Sequence, residues 1–201
     1  MTRLDDGRYY AEMEDQTASL AEAVRGVEPS TRVPTCPEWT VVDLVEHVGR
    51  GQRWAATMVE NRTAGFWLRK LAHDTLVHRW DADLTVGREP EAAPDLAADC
   101  VSDLLDAIAA LSGDHEDPVF AGLRGTGESL HFHATDTAGE WLVRRTPSAV
   151  EWEPGHGRAD VAVRGRVVDL ALLLNRRGRP AVEVIGDDLL LAHWLENGVF
   201  A

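Results

Sequence analysis

The sequence predicts an α + α/β fold, in which an N-terminal four-helix bundle is followed by a small α/β domain. Two observations predict it. Apolar residues recur at three- and four-residue intervals through the first half, which is the period of amphipathic helices. Beyond residue 113 short runs rich in β-branched and aromatic residues dominate, which is typical of strands. We therefore predict a bundle over residues 1–113, a linker over 114–126 and an α/β domain over 127–201.

The first two predicted helices are separated by a loop, RVPTCPEW. The stripe of the first helix ends before Gly26 and consists of Tyr10, Met13, Thr17, Leu20, Ala21 and Val24. In the second helix Thr40 is a candidate N-cap, since Asp43 follows three positions later. We expect this helix to end near Asn61.

The third and fourth helices are predicted over about 65–86 and 95–113. Residues 114–126 are rich in Gly and Asp and carry no sustained period, which indicates a linker. The strands of the second domain are predicted around LHFHA, GEWLVRR, AVEWEP, ADVAVRG and VEVIGD, with helices at VVDLALLLNRR and DDLLLAHWLENG. His131 and His133 alternate with apolar residues there, so we interpret them as surface residues of a strand.

The composition excludes several classes of function. Thirty-four acidic against 20 basic residues give a formal charge of −14, which repels nucleic acid and anionic membrane surfaces. The two cysteines form no CxxC motif, so neither a disulfide scaffold nor a thiolate zinc site is indicated. Without an export signal at the N-terminus or a long apolar run, we expect a cytoplasmic protein that binds small molecules. The oligomeric state is left open.

Residues 71–80 read LAHDTLVHRW and place imidazole and carboxylate groups on the predicted inward face of the third helix. Asp74 lies within about 40° of both His78 and Asp81 on a helical wheel. A buried, ionised carboxylate without a partner is destabilising by several kcal/mol, and a bound divalent cation would reverse that effect. The pattern therefore predicts a metal site on this face.

His47 in the second helix is the candidate third ligand. Both a parallel and an antiparallel arrangement would bring it level with Asp74 and His78. Two imidazoles and one carboxylate leave coordination positions open, as in catalytic zinc sites. Spacing alone leaves two other interpretations: His47 as a hydrogen-bonded core residue, and Asp74 with His78 as an ordinary pair on a helix surface.

The segments TCPEWTVVDLVEHVG and FWLRKLAHDTLVHRWDADLTVG resemble the mycothiol-dependent maleylpyruvate isomerase family of actinobacteria, within the DinB-like metalloenzyme superfamily. The resemblance implies a DinB-like four-helix bundle in which His47, Asp74 and His78 hold a divalent metal, typically Zn2+. The segments ADVAVRGRVVDLALLLNRR and VEVIGDDLLLAHWL are similar to the second domain of the family. That similarity implies a sterol-carrier-protein-like α/β fold.

The chain departs from the family pattern in two places. The family usually has Glu at the position of Asp74, and the shorter side chain predicts weaker metal binding. Only ENRTAG separates the second and third helices, and six residues span about 20 Å, too little to return along a helix of about 30 Å. We interpret this as a crossover segment missing from the sequence, with an up-down-up-down bundle as the alternative.

The resemblance also implies mycothiol as the thiol cofactor, used for isomerisation or S-transfer on a small electrophilic substrate. Asp81 is a candidate acceptor for the N–H of a ligand imidazole, with a cap or salt bridge as the alternative. Arg164 and Arg177 are candidates for binding substrate or thiol, with a solvated position near a helix end as the alternative. The alternative functions are a non-catalytic ligand-binding or regulatory module and a metal-dependent hydrolase.

Overall fold

The computed structural model describes residues 3–58, 64–113 and 121–198. By its internal contacts the chain divides into two compact units, Thr2–Ala92 and Ala93–Ala201. Helices dominate the first unit, and a five-stranded sheet dominates the second. In the described ranges no helix combines the length and the apolar character needed to cross a bilayer.

The first unit holds three long helices and a short β-hairpin. Its elements are α1 (Asp6–Ala23), β1 (Arg32–Val33), β2 (Cys36–Thr40), α2 (Val41–Met58) and α3 (Ala64–Thr85). Asp5 caps α1 by accepting a hydrogen bond from the backbone N–H of Arg8. The predicted cap of α2 is confirmed, since Thr40 donates both its N–H and its hydroxyl to the Asp43 carboxylate, at 2.8 and 2.5 Å.

Helices α2 and α3 run antiparallel. Trp54, near the end of α2, contacts Trp67, near the start of α3, with ring centroids 4.5 Å apart. Earlier in α2, His47 lies 3.9 Å from Asp74, further along α3. Antiparallel neighbours need only a short connection, so this arrangement agrees with the up-down alternative, and the interpretation that a crossover segment is missing stays a prediction. Residues 59–63, including the predicted helix end at Asn61, lie outside the described residues.

The buried face of α1 is rotated by one residue from the predicted stripe. Tyr10 is 52% exposed, and the buried positions are Tyr9, Glu12, Gln16, Leu20 and Ala23. The apolar pattern did not predict this face because two of its buried positions, Glu12 and Gln16, are polar. Gln16 donates to Glu12 at 2.9 Å and accepts from Arg79 of α3 at 3.0 Å, so hydrogen bonds satisfy them inside the helix interface.

The segment RVPTCPEW, predicted as a loop, forms the antiparallel pair β1 and β2. Val33 of β1 is fully buried in a core that also contains Leu20, Ala23, Leu44, Val48 and Ala82. Trp39 of β2 packs against the same core. The hairpin therefore holds an aromatic ring beside α2 and α3.

The second unit begins with α4 (Pro94–Ser112) and a 3-10 turn (Ala121–Leu123). The elements that follow are β3 (Ser129–Ala134), β4 (Glu140–Arg145), β5 (Val150–Pro154), β6 (Val161–Gly165), α5 (Val167–Leu174), β7 (Val182–Gly186) and α6 (Asp188–Asn197). The strand order is β5-β4-β3-β6-β7, with β3 and β6 parallel and the other pairs antiparallel. The predicted strands and helices of this region are confirmed.

Helix α4 packs on α5 and β5 of the second unit. Ser102 of α4 accepts a hydrogen bond from the indole N–H of the fully buried Trp141 at 2.9 Å. The fold is thus α+β with a mixed sheet, and the predicted four-helix bundle over residues 1–113 is not confirmed. The period of its apolar residues identified α4 as a helix, but it could not indicate which elements the apolar face of α4 would pack against. Residues 114–120 of the predicted linker lie outside the described residues.

Candidate metal centre

The structure brings together the three side chains predicted as metal ligands. Asp74 Oδ1 lies 3.9 Å from His47 Nε2 and 3.7 Å from His78 Nε2. One ligand atom from each of the three residues lies within 4.8 Å of the other two. The antiparallel packing of α2 on α3 sets this arrangement, because it puts His47 level with a pair of residues one turn apart on α3.

Asp81 fixes the orientation of the His78 ring. Its Oδ2 lies 2.9 Å from His78 Nδ1, so the other ring nitrogen, Nε2, faces Asp74. The Asp81 carboxylate is fully buried and also accepts a hydrogen bond from the Thr35 hydroxyl at 2.5 Å. The Cys36 thiol lies 3.6 Å from Oδ2, the same carboxylate oxygen that contacts His78. Residues just before and within β2 therefore satisfy the charge that the α3 sequence buries.

Trp39 packs against both imidazoles. Its ring lies 5.4 Å from that of His78, at 28° between planes, and 4.8 Å from that of His47, at 45°. The two imidazoles lie 4.7 Å apart in an edge-to-face arrangement. The hairpin thus restricts the rotation of both histidines.

The site is open to solvent on one side. The side chains of His47 and Asp74 are each 41% exposed, whereas that of His78 is 9% exposed. The prediction that this carboxylate points inward was therefore wrong for Asp74, and the buried carboxylate is Asp81. The reason is geometric: Asp74 lies at the rim of the groove between two helices, one turn from a residue that faces the hairpin. Burial and the neighbouring His78 lower the pKa of His47.

The remaining candidates of the sequence analysis lie elsewhere. His73, the first histidine of LAHDTLVHRW, was not among the predicted ligands, and it is buried off the ligand face, edge-on to Tyr9 at 5.9 Å. Arg164 lies on β6 and pairs with Glu183 at 3.6 Å. Arg177 follows α5 and donates to the carbonyl of Asn175 at 2.8 Å. Both arginines belong to the second unit, and their assignment to substrate or thiol stays a prediction.

The donor set fits a divalent transition metal. Two imidazoles and one carboxylate are ligands that zinc accepts, and adjacent ligands of a tetrahedral zinc lie about 3.3–3.4 Å apart. The two measured separations from Asp74 Oδ1, 3.7 and 3.9 Å, exceed that edge by a few tenths of an ångström. A hydrogen bond that a ligand imidazole donates to a buried carboxylate is the usual arrangement around metal-binding histidines.

The roles of Trp39 and Thr35 were not predicted from the sequence. Both belong to the segment predicted as a loop, which carries no apolar periodicity of its own. The segment TCPEWT belongs to the stretch that resembles the family, which was the available signal. The role of Thr35 could not be inferred from it, because the Thr35–Asp81 hydrogen bond joins residues more than forty positions apart in the chain.

Comparisons with known proteins give one family and several distant structural likenesses. None of the curated proteins compared with the chain matches it. Among solved structures, a UbiJ-SCP2 ubiquinone synthesis protein is 16% identical with a TM-score of 0.37, covering 47% of this chain and 92% of its own. Two structures of the sec-alkylsulfatase Pisa1 also match. One is its S233Y F250G double mutant, 13% identical with a TM-score of 0.40. The other, from Pseudomonas sp., is 14% identical with a TM-score of 0.38.

These structural likenesses are too distant to carry an argument about function. The alignments cover 98% and 96% of this chain but span only 32% and 31% of the two sulfatase chains. The family model described as "Mycothiol maleylpyruvate isomerase N-terminal domain" matches residues 10–146, which is more than half of the chain. It includes all three residues of the candidate metal centre and the hairpin that packs against them. The chain belongs to the mycothiol maleylpyruvate isomerase N-terminal domain family.

Proposed function

We propose that this protein is a divalent-metal-dependent enzyme that uses mycothiol to isomerise a small electrophilic substrate or to transfer the thiol to it. The family supports a mycothiol-related enzyme. The observation that carries the metal dependence is the meeting of His47 Nε2, His78 Nε2 and Asp74 Oδ1 beside a buried carboxylate. Zinc is the metal we propose, because it accepts imidazole and carboxylate ligands together.

His47, Asp74 and His78 would hold the ion, and when bound it would supply a Lewis acid that lowers the pKa of a thiol. Asp81 accepts the Nδ1 proton of His78 and so keeps the lone pair of Nε2 toward Asp74. Trp39 excludes water from one side of both rings. The half-exposed His47 and Asp74 leave the other side accessible to small molecules.

The groove between α2 and α3 supplies an apolar wall next to these ligands. Trp67 and Leu71 lie seven and three positions before Asp74 and share its side of α3. Gly51 and Trp54 lie four and seven positions after His47 on α2, and a side chain at Gly51 would meet Leu71 at 3.7 Å. We propose that this wall receives the carbon skeleton of the substrate, with its electrophilic centre toward Asp74.

The first test is metal content. Protein prepared without a metal-affinity tag and reconstituted with ZnCl2 should retain zinc, and Asp74→Asn should weaken that binding by about tenfold or more because it removes the negative ligand. Glu46→Gln is the matched control, because this exposed carboxylate lies one position before His47 and pairs with Arg50 in the same helix. Zinc retention below about a tenth of an equivalent after reconstitution, or retention that Asp74→Asn leaves unchanged, would overturn the proposal.

The second test is thiol dependence. The zinc-loaded protein is assayed with maleylpyruvate for isomerisation and with an activated aryl chloride for S-transfer, each with and without mycothiol. Turnover that requires both zinc and mycothiol supports the proposal. Formation of hydrolysis products that requires zinc but no thiol would identify a metal-dependent hydrolase instead, and zinc binding without any turnover would identify a non-catalytic binding module.

A further inference from the structure

A second group of histidines meets on the sheet of the C-terminal unit. Along β3 the buried Leu130 and Phe132 alternate with His131 and His133, so the two histidines lie on the face opposite the apolar core. Glu140 of β4 pairs directly with His133 in the antiparallel ladder and therefore shares that face. His131 is only 4% exposed, so its interpretation as a surface residue was wrong.

The Glu140 carboxylate is the point where three imidazoles meet. Its Oε2 lies 3.3 Å from His131 Nε2 and 2.9 Å from His156 Nδ1, and its Oε1 lies 3.0 Å from His133 Nδ1. One ligand atom from each of the four residues lies within 4.8 Å of the other three. The nearest pair of rings, those of His131 and His156, lie 5.0 Å apart and perpendicular.

The backbone after β5 carries His156 over this face of the sheet. Gly155 adopts a φ of 145°, which side chains rarely allow, and donates its N–H to the Glu140 carbonyl at 3.1 Å. Gly157 lies so close to the sheet that a Cβ there would be 2.8 Å from Leu142 Cδ2. The flanking glycines thus let the chain approach the strand closely while the exposed His156 reaches inward to Glu140.

The charges of this cluster favour a cation. One carboxylate balances one protonated imidazole, whereas a divalent ion accepts the lone pairs of three neutral imidazoles and a carboxylate oxygen together. Arg164 neighbours His133 across the parallel pair of strands. It is paired with Glu183 at 3.6 Å, so its charge is offset locally. The formal charge of −14 also favours cation binding by the chain.

We propose that His131, His133, Glu140 and His156 form a second metal site, specific for a divalent transition metal such as zinc. Three imidazoles disfavour calcium and magnesium, which prefer oxygen ligands. Four protein ligands fill a tetrahedral shell and leave no open position, which is the pattern of a structural site. The ion would tie the connection between β5 and β6 to the hairpin formed by β3 and β4.

The site is tested by zinc titration of the full-length chain in a background that lacks the ligands of the candidate metal centre, His47→Ala/His78→Ala. This variant should still take up one zinc ion per chain. Calorimetry, and metal analysis after gel filtration, measure the uptake. Adding His156→Ala or Glu140→Gln should remove that uptake. Glu153→Gln is the matched control, because Glu153 is an exposed carboxylate on the neighbouring strand β5, opposite Leu142, and should leave uptake unchanged.

A second measurement separates metal binding from a hydrogen-bonded cluster. Hydrogen exchange of residues 155–160 should slow on addition of ZnCl2 in the background variant and should not respond once His156→Ala is added. His156 is 77% exposed, so its truncation leaves folding intact, and thermal melts without metal verify this. The inference is overturned if the background variant takes up no zinc, or if uptake persists with both His156→Ala and Glu140→Gln. Neither result bears on zinc binding by His47, Asp74 and His78 in the unmodified chain.

Discussion

The two histidine clusters use the same kinds of donor on different scaffolds. On the helices, three donors come from α2 and α3, and the carboxylate that orients His78 lies outside the donor set. On the sheet, the carboxylate of Glu140 is itself at the centre of the donors. The number of donors and the place of the orienting group therefore distinguish an open site from a closed one.

The solvent exposure of the donor side chains also differs between the two clusters. At the helical cluster two of the three side chains are 41% exposed, and they face a groove with apolar walls. At the sheet cluster the exposed group is a single loop histidine that covers the others. A small molecule therefore has access to the first cluster, whereas the second is closed by its own fourth ligand.

The largest expected effect comes from removing both helical imidazoles. His47→Ala/His78→Ala should lower zinc- and mycothiol-dependent turnover by about a hundredfold or more, since the remaining carboxylate cannot hold the ion. Steady-state rates at saturating zinc measure this. Zinc uptake by the sheet cluster should be unaffected, because all its donors lie in the second unit. Equal loss of zinc from both clusters would show that the two are not independent.

A smaller effect is expected from the group that orients His78. Asp81→Asn should weaken zinc binding at the helical cluster by about ten- to a hundredfold, because the amide is a poorer acceptor for the Nδ1 proton. Competition with a chelator measures the affinity.

Thr35→Ala is the graded comparison, since it removes one hydrogen bond to Asp81 and leaves the contact with His78 in place. Its effect should be smaller than that of Asp81→Asn. If Asp81→Asn leaves the affinity unchanged, the buried carboxylate serves folding alone.

The smallest expected effect concerns the cap of the helix that carries His47. Thr40→Ala should reduce the free energy of unfolding by about 1 kcal/mol, because Thr40 and Asp43 no longer satisfy the first turn of α2. Denaturant melts measure the change, and Thr40→Ser should recover most of it by restoring the hydroxyl. Hydrogen exchange in β3 and β4 should not change, which would confine the effect to the first unit.

Much of the candidate centre could be predicted from the sequence, since the four-residue spacing of Asp74 and His78 places them on one helix face in any helix. The same face indicated Asp81 as a candidate acceptor for a ligand imidazole, but its contacts with Thr35 and Cys36 could not be predicted, because they come from a segment that has no periodic pattern. The cluster on the sheet was missed for a related reason. Alternation in β3 indicated which face His131 and His133 occupy, but Glu140 and His156 reach it only through strand pairing and the path of a loop.

The local elements follow from the sequence alone, because the period of apolar residues and the turn residues act within a few positions along the chain. The candidate ligands on α2 and α3 and the family resemblance follow from it as well. Only the tertiary structure decided that α4 packs with the sheet, that α2 and α3 are antiparallel, and which carboxylate is buried. These arrangements depend on contacts between segments that are distant in the sequence. The free energy that stabilises them comes from burying and hydrogen-bonding the surface of one segment against another, so no single segment encodes it.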